Sequence, residues 1–78
     1  MTPSDKEIAD VLLDLAHQRG VGKTFCPSEA ARLLSDDWRP LMPDVRRVAA
    51  DVALRATQKG DTVDPVTAKG PIRLGLPE

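Results

Sequence analysis

Aromatic side chains are almost absent, with one Phe, one Trp and no Tyr in 78 residues. An interior must then be built from Leu, Val, Ile and Ala, which suits small helices packed closely together. Cysteine is as scarce: Cys26 stands alone, which excludes an internal disulfide and matches a reducing cytoplasm. With His17 as its one histidine, the chain also lacks the three or four ligands of a zinc site, and a Cys26–His17 catalytic pair is less expected than an ordinary buried thiol. No run approaches the roughly 18 apolar residues of a membrane span. The opening "MTPSDKEIAD" has neither the basic nor the apolar region of a secretory signal. These absences predict a soluble cytoplasmic domain without metal, cofactor or membrane partner.

An excess of one charge is missing too. Eleven basic residues against 12 acidic ones leave a net charge of −1, which excludes the strongly basic make-up of a histone-like nucleic-acid coat. The balance is uneven along the chain. Residues 1–37 hold four Lys or Arg against seven Asp or Glu, a balance of −3, and residues 38–78 hold seven against five, a balance of +2. A single core of this size supplies only about 3–5 kcal/mol. Little room remains for an enzyme cleft, so neither catalytic residues nor a small-molecule substrate is expected.

Local signals in the sequence are clear up to residue 52. Ser4-Asp5-Lys6-Glu7 forms a capping box, and Ile8, Val11, Leu12, Leu15 and Ala16 recur at helical spacing with Asp10, Asp14 and Gln18 on the wet side. Gly20 ends this helix, predicted over 5–19. Thr24-Phe25-Cys26 is a short β-prone run. Pro27 then fits the first position of a second helix, 27–34, with Ala30, Ala31, Leu33 and Leu34 as its apolar residues. After "SDDWRPLMP", Pro43-Asp44 reopens a helix over 43–52, with Val45, Val48, Ala49 and Val52 as its apolar stripe. Leu41 and Met42 read as core or turn packing.

Beyond Val52 the signals weaken: "ALRATQKG" suits a continuing helix through its Ala and Leu or a strand in which Leu54, Ala56 and Gln58 alternate with Arg55, Thr57 and Lys59, and the strand is favoured because a later partner exists. A strand is predicted over 54–58, and "PIRLGL" supplies a partner over 72–76. Between them "GDTVDPVTAKG" is a connection, in which Asp64-Pro65 caps a single helical turn closed by Lys69-Gly70. The predicted fold is mainly α with a small β-sheet in one domain, residues 1–78. Its order of helix, short strand over 24–26, helix, helix, strand, loop, strand is that of a winged helix, a helix-turn-helix core with a two-stranded β-hairpin wing.

Four blocks, "GKTFCPSEAARLL", "DDWRPLMPDVRRVA", "TQKG" and "VDPVTAKGPIRL", cover most of residues 22–74. In these blocks the sequence resembles a small bacterial family, domain-of-unknown-function family 3253, described as winged-helix-like and without an assigned activity. The resemblance implies a fold and lends no catalytic residue. In that family a glycine and a basic residue usually lie between the third helix and the strand leading into "TQKG". Here "RRVAADVALRATQKG" is shorter and lacks the glycine.

Several motifs suggest chemistry. Gly22-Lys23-Thr24 is the ending of a nucleotide-binding P-loop, but His17 stands where the first glycine is required, a helix precedes the motif and no helix opens at Thr24. Asp36 and Asp37 adjoin a helix end and read as solvated turn residues rather than a carboxylate pair for hydrolysis. Arg46 and Arg47 are stronger candidates: Arg47 is predicted to face outward with Ala50 and Asp51, and Arg46 to lie on the flank. With Arg39 before that helix, and Lys59, Lys69 and Arg73 on or beside the wing, they could form a surface for duplex DNA. Pairing of Arg47 with Asp51 one turn on is the competing reading. Trp38 is expected to be mostly buried or, if exposed beside Arg39, to anchor a partner. The functional expectation is a non-enzymatic module contacting duplex DNA through its third helix and wing; the alternative is docking on a partner protein or a second copy of the chain.

Overall fold

In the computed structural model, which describes residues 3–77, the first helix begins at its capping residues. The Glu7 amide donates to Ser4 Oγ at 3.1 Å, and the Ser4 amide donates to the Glu7 carboxylate at 3.2 Å. Two first-turn donors that helix geometry leaves without partners are thereby satisfied. Helix α1 runs Asp5–Arg19 and stops at Gly20, whose φ of 84° suits glycine. Ile8, Leu12, Leu15 and Ala16 are buried, and Asp10, Asp14 and Gln18 are exposed.

Helix α2, Pro27–Leu34, opens with Pro27 at its first position. The Cys26 amide donates to the Glu29 carboxylate at 2.9 Å. Ala30 and Ala31 are fully buried, whereas Leu33 is 66% exposed. Leu33 stands roughly 200° around the helix from Ala31, so both cannot face the core.

A 3-10 turn, Arg39–Leu41, runs directly into helix α3, Met42–Asp51. Val45, Val48 and Ala49 are buried, and Val52 is packed at their edge. The helix closes with the Leu54 amide donating to the Ala49 carbonyl and the Ala53 amide to the Ala50 carbonyl, both at 3.2 Å. This double bond pattern needs a left-handed residue. Ala53 takes that conformation, φ 58°.

Three strands follow: β1 Arg55–Gln58, β2 Asp61–Thr62 and β3 Arg73–Gly75, antiparallel and in the order β2-β1-β3. Strand β2 corrects the expectation that residues 60–70 only connect. Lys59 and Gly60, at φ 53° and 88°, turn the chain within two residues and fold Asp61 and Thr62 back on Gln58 and Thr57. The single turn at Asp64 is present: the Val66 amide donates to Asp64 Oδ1 at 2.8 Å and the Ala68 amide to its carbonyl at 2.9 Å. The strand expected over 24–26 is one bridge, in which Phe25 and Leu74 exchange amide-to-carbonyl bonds of 2.8 Å each.

The lone Phe sits in the core. Phe25 is fully buried, with Ile8, Leu12, Val45, Ile72 and Leu74. Ala56 and Leu74 are partners across β1 and β3, and both are buried in the same core cluster as the helices. The opposite face of those strands therefore carries Arg55, Thr57, Arg73 and Gly75. The architecture is mainly α with a small antiparallel sheet. Among the described residues no helix is long and apolar enough to cross a membrane.

Candidate functional site

Arg47 lies on the outward face of α3, as the helical period requires. It is surrounded by acid: Nη1 and Nη2 donate to the two carboxylate oxygens of Asp5 at 2.9 and 2.8 Å. Asp44 Oδ1 lies at 3.5 Å and Asp51 Oδ2 at 4.0 Å. The hydrogen bond from Arg47 holds the Asp5 carboxyl below its ordinary value, and Asp5 in turn raises the guanidinium. Three carboxylates around one arginine leave the middle of α3 without net positive charge. The pairing with Asp51 foreseen from the sequence is the longest of the three, and the forked contact to Asp5, 42 residues away, is the shortest.

Arg46 is directed at the loop before β3. Its Nη1 donates to the Ala68 carbonyl and its Nη2 to the Gly70 carbonyl, both at 2.7 Å. Gln58 Nε2 holds the alternate carbonyls, Lys69 O at 2.6 Å and Pro71 O at 3.2 Å. Four successive carbonyls are thus held by two side chains, and Gln58 went unnoticed in the sequence because its partners are 11 and 13 residues away. Lys59 sits in the tight turn and Lys69 in the clamped loop, both exposed.

Arg73, placed by the sequence among phosphate contacts, binds the chain instead. Its Nε donates to Thr24 Oγ1 and its Nη2 to the Thr24 carbonyl, both at 3.0 Å, and its Nη1 to Cys26 Sγ at 2.9 Å. It fastens β3 to the segment around Phe25. Cys26 is half-buried rather than enclosed. Next to it, hydrogen bonds from Arg19, at 2.7 Å, and from the Cys26 amide keep the Glu29 carboxyl below its usual range.

Trp38 lies at the corner between α2 and α3, half-buried against the core. The guanidinium carbon of Arg39 is 4.6 Å from its ring centroid, and that of Arg32 is 4.7 Å away. Both distances are within cation–π range. Arg32 was not singled out in the sequence, since a contact from helix to loop follows no spacing rule. Leu33, its neighbour in α2, is exposed, and so are Asp36 and Asp37, where the Asp37 amide donates to Ser35 Oγ at 3.2 Å. Among the described residues Arg32, Arg39, Lys59 and Lys69 make no contact with a carboxylate.

Gly22-Lys23-Thr24 connects α1 to the Phe25 bridge, without the strand before it or the helix after it that a phosphate loop needs. Among the described residues no three His, Cys, Asp or Glu side chains are grouped to hold a metal ion.

Comparison with curated proteins gives no match. A family model does match, that of a protein of unknown function, DUF3253, over residues 5–77. These residues span all three helices and the whole sheet, and the chain belongs to the DUF3253 family.

Proposed function

We propose that this chain is a winged-helix domain acting as a non-enzymatic docking module, and that it associates with a second copy of itself through the corner between α2 and α3. The winged-helix reading is supported by the order of helix, bridging residue, two helices and hairpin, with residues 59–72 as the wing. One observation carries the docking reading: Trp38 is half-buried between α2 and α3 with two arginines stacked on it and Leu33 exposed nearby in sequence. Trp and Arg dominate the energetic centres of protein interfaces. The corner is also balanced in sign, because Arg32 and Arg39 stand beside Asp36 and Asp37 within eight residues. A two-fold pairing brings each patch against its own copy, so a patch carrying both signs complements itself.

Sedimentation across a concentration series tests this. The wild-type chain sediments faster as concentration rises toward about 1 mM, and Trp38→Ala weakens association by about 2 kcal/mol, roughly thirtyfold. A strictly monomeric wild type over that range sinks the reading. The half-buried Cys26 thiol, held by Arg73, fits a cytoplasmic setting.

Duplex DNA is the second reading, supported by Lys59 and Lys69 on the wing with no carboxylate partner among the described residues. It is the weaker one because Arg47, on the helix that would enter the groove, is already matched by Asp5, Asp44 and Asp51. If mixed duplexes at low salt move the amide signals of residues 58–60 and 68–71, and Lys59→Glu with Lys69→Glu removes the effect, DNA replaces the protein partner.

A further inference from the structure

Arg32, Asp36, Asp37 and Arg39 follow one another closely at the α2–α3 corner, and all four are exposed. Arg32 and Asp36 have the spacing at which opposite charges pair along a helix. Helix α2 ends at Leu34, however, and Ser35 takes extended backbone, φ −161° and ψ 146°, which turns the acidic pair off the helix. Among the described residues none of the four side chains forms an ion pair. Two cations and two anions thus stand as neighbours in the chain without meeting.

The guanidiniums go to Trp38 instead, with their central carbons 4.7 and 4.6 Å from the ring centroid. A stacked guanidinium keeps its in-plane N–H donors for another acceptor. Its fork matches a carboxylate, which accepts two parallel charge-assisted bonds. Part of the side-chain freedom that such a contact costs is already lost in the single chain, because the ring holds each arginine. The corner's own carboxylates have the right chemistry in the wrong place. A two-fold pair removes that obstacle, since residue i of one copy then meets residue j of the other, and j meets i. Each arginine–aspartate contact occurs twice.

We propose that Arg32 and Arg39 determine the specificity of this interface, each copy's stacked arginines binding the carboxylates of the partner's Asp36 and Asp37. The proposal rests on the self-association reading above and says which side chains choose the second copy. Trp38 then aims the two arginines as well as supplying apolar area. A different protein that covered the same corner without carboxylates would leave both guanidiniums without acceptors, which disfavours it.

The test exchanges the charges. Arg32→Glu with Arg39→Glu makes the corner acidic throughout, and Asp36→Lys with Asp37→Lys makes it basic throughout. All four positions are exposed, and the amide signals of α1 report that each chain keeps its fold. In dilution spectra between about 10 μM and about 1 mM, each reversed chain associates at least about tenfold more weakly than wild type. An equimolar mixture of the two restores the shifts over residues 32–41. Neutral variants give a second reading: Arg39→Gln and Asp37→Asn each weaken association by about threefold. If wild type associates but the reversed or neutral chains do so equally well, or the reversed mixture stays monomeric, the arginine–aspartate pairing is overturned and self-association stands. A wild type that stays monomeric removes both.

Discussion

At Ala53 a side chain occupies a backbone conformation that glycine adopts more cheaply. The residue holds φ at 58° so that the Leu54 and Ala53 amides can close α3 on the carbonyls of Ala49 and Ala50. Ala53→Gly removes the clash of Cβ with the backbone and stabilises the fold by about 0.5–1 kcal/mol, net of the entropy glycine adds to the unfolded chain. Equilibrium denaturation with urea reads this as a higher midpoint at unchanged slope. Two other residues govern the acid limb. Asp5 and Glu29 are held below their ordinary values of 3.8 and 4.5, by Arg47 and Arg19 respectively. A lowered folded-state value means that the unfolded chain binds more protons in that range. Their contribution is therefore complete above about pH 5 and fades as pH falls through and below the unfolded values. Thermal scans from neutral pH down to about pH 3 should show a shallower loss for Asp5→Asn with Glu29→Gln than for wild type; parallel curves would refute the assignment.

Among the elements, the wing is the one whose order depends most on side chains from elsewhere. Its strand β2 has two residues, and the loop beyond it is held by Arg46 from α3 and Gln58 from β1. Arg46→Ala releases the carbonyls of Ala68 and Gly70, so amide hydrogen exchange over residues 66–72 should speed by at least tenfold while α1 keeps its protection. Arg46→Lys keeps the charge but not the fork, and should restore only part of it. Unchanged exchange in both variants would show that the wing orders itself. The helices were legible because their signals are local: Ser4 with Glu7, Gly20, Pro27 and the Val45–Val48–Ala49 stripe each act within a turn or two. Strand β2 was not, since Lys59-Gly60 lacks the Asn or Asp that usually marks such a turn and Lys59 must take φ 53°. The functions of Arg46, Arg47 and Arg73 were equally hidden, because their partners lie 22 to 49 residues away in the chain.

Over the whole molecule, folding redistributes the charge that the sequence divides between its halves. Asp5 from the acidic half neutralises Arg47 from the basic half, while Glu29 takes Arg19. Positive charge without a carboxylate partner is left, among the described residues, at the α2–α3 corner with Arg32 and Arg39, on the wing with Lys59 and Lys69, at Lys23, and at Arg46 and Arg73, whose partners are neutral. Of the residues read from the sequence as one basic face, Arg47 is neutralised, Arg46 and Arg73 are committed to backbone acceptors, and Arg39, Lys59 and Lys69 remain exposed. The corner combines charge with a large apolar side chain, Trp38, and an exposed Leu33. A dilution series of amide spectra from about 1 mM to about 10 μM tests that corner most directly, a range that brackets weak self-association. The predicted result is concentration-dependent shifts confined to residues 32–41, absent in Trp38→Ala. Spectra that do not change with concentration, or shifts confined to the wing, would contradict it.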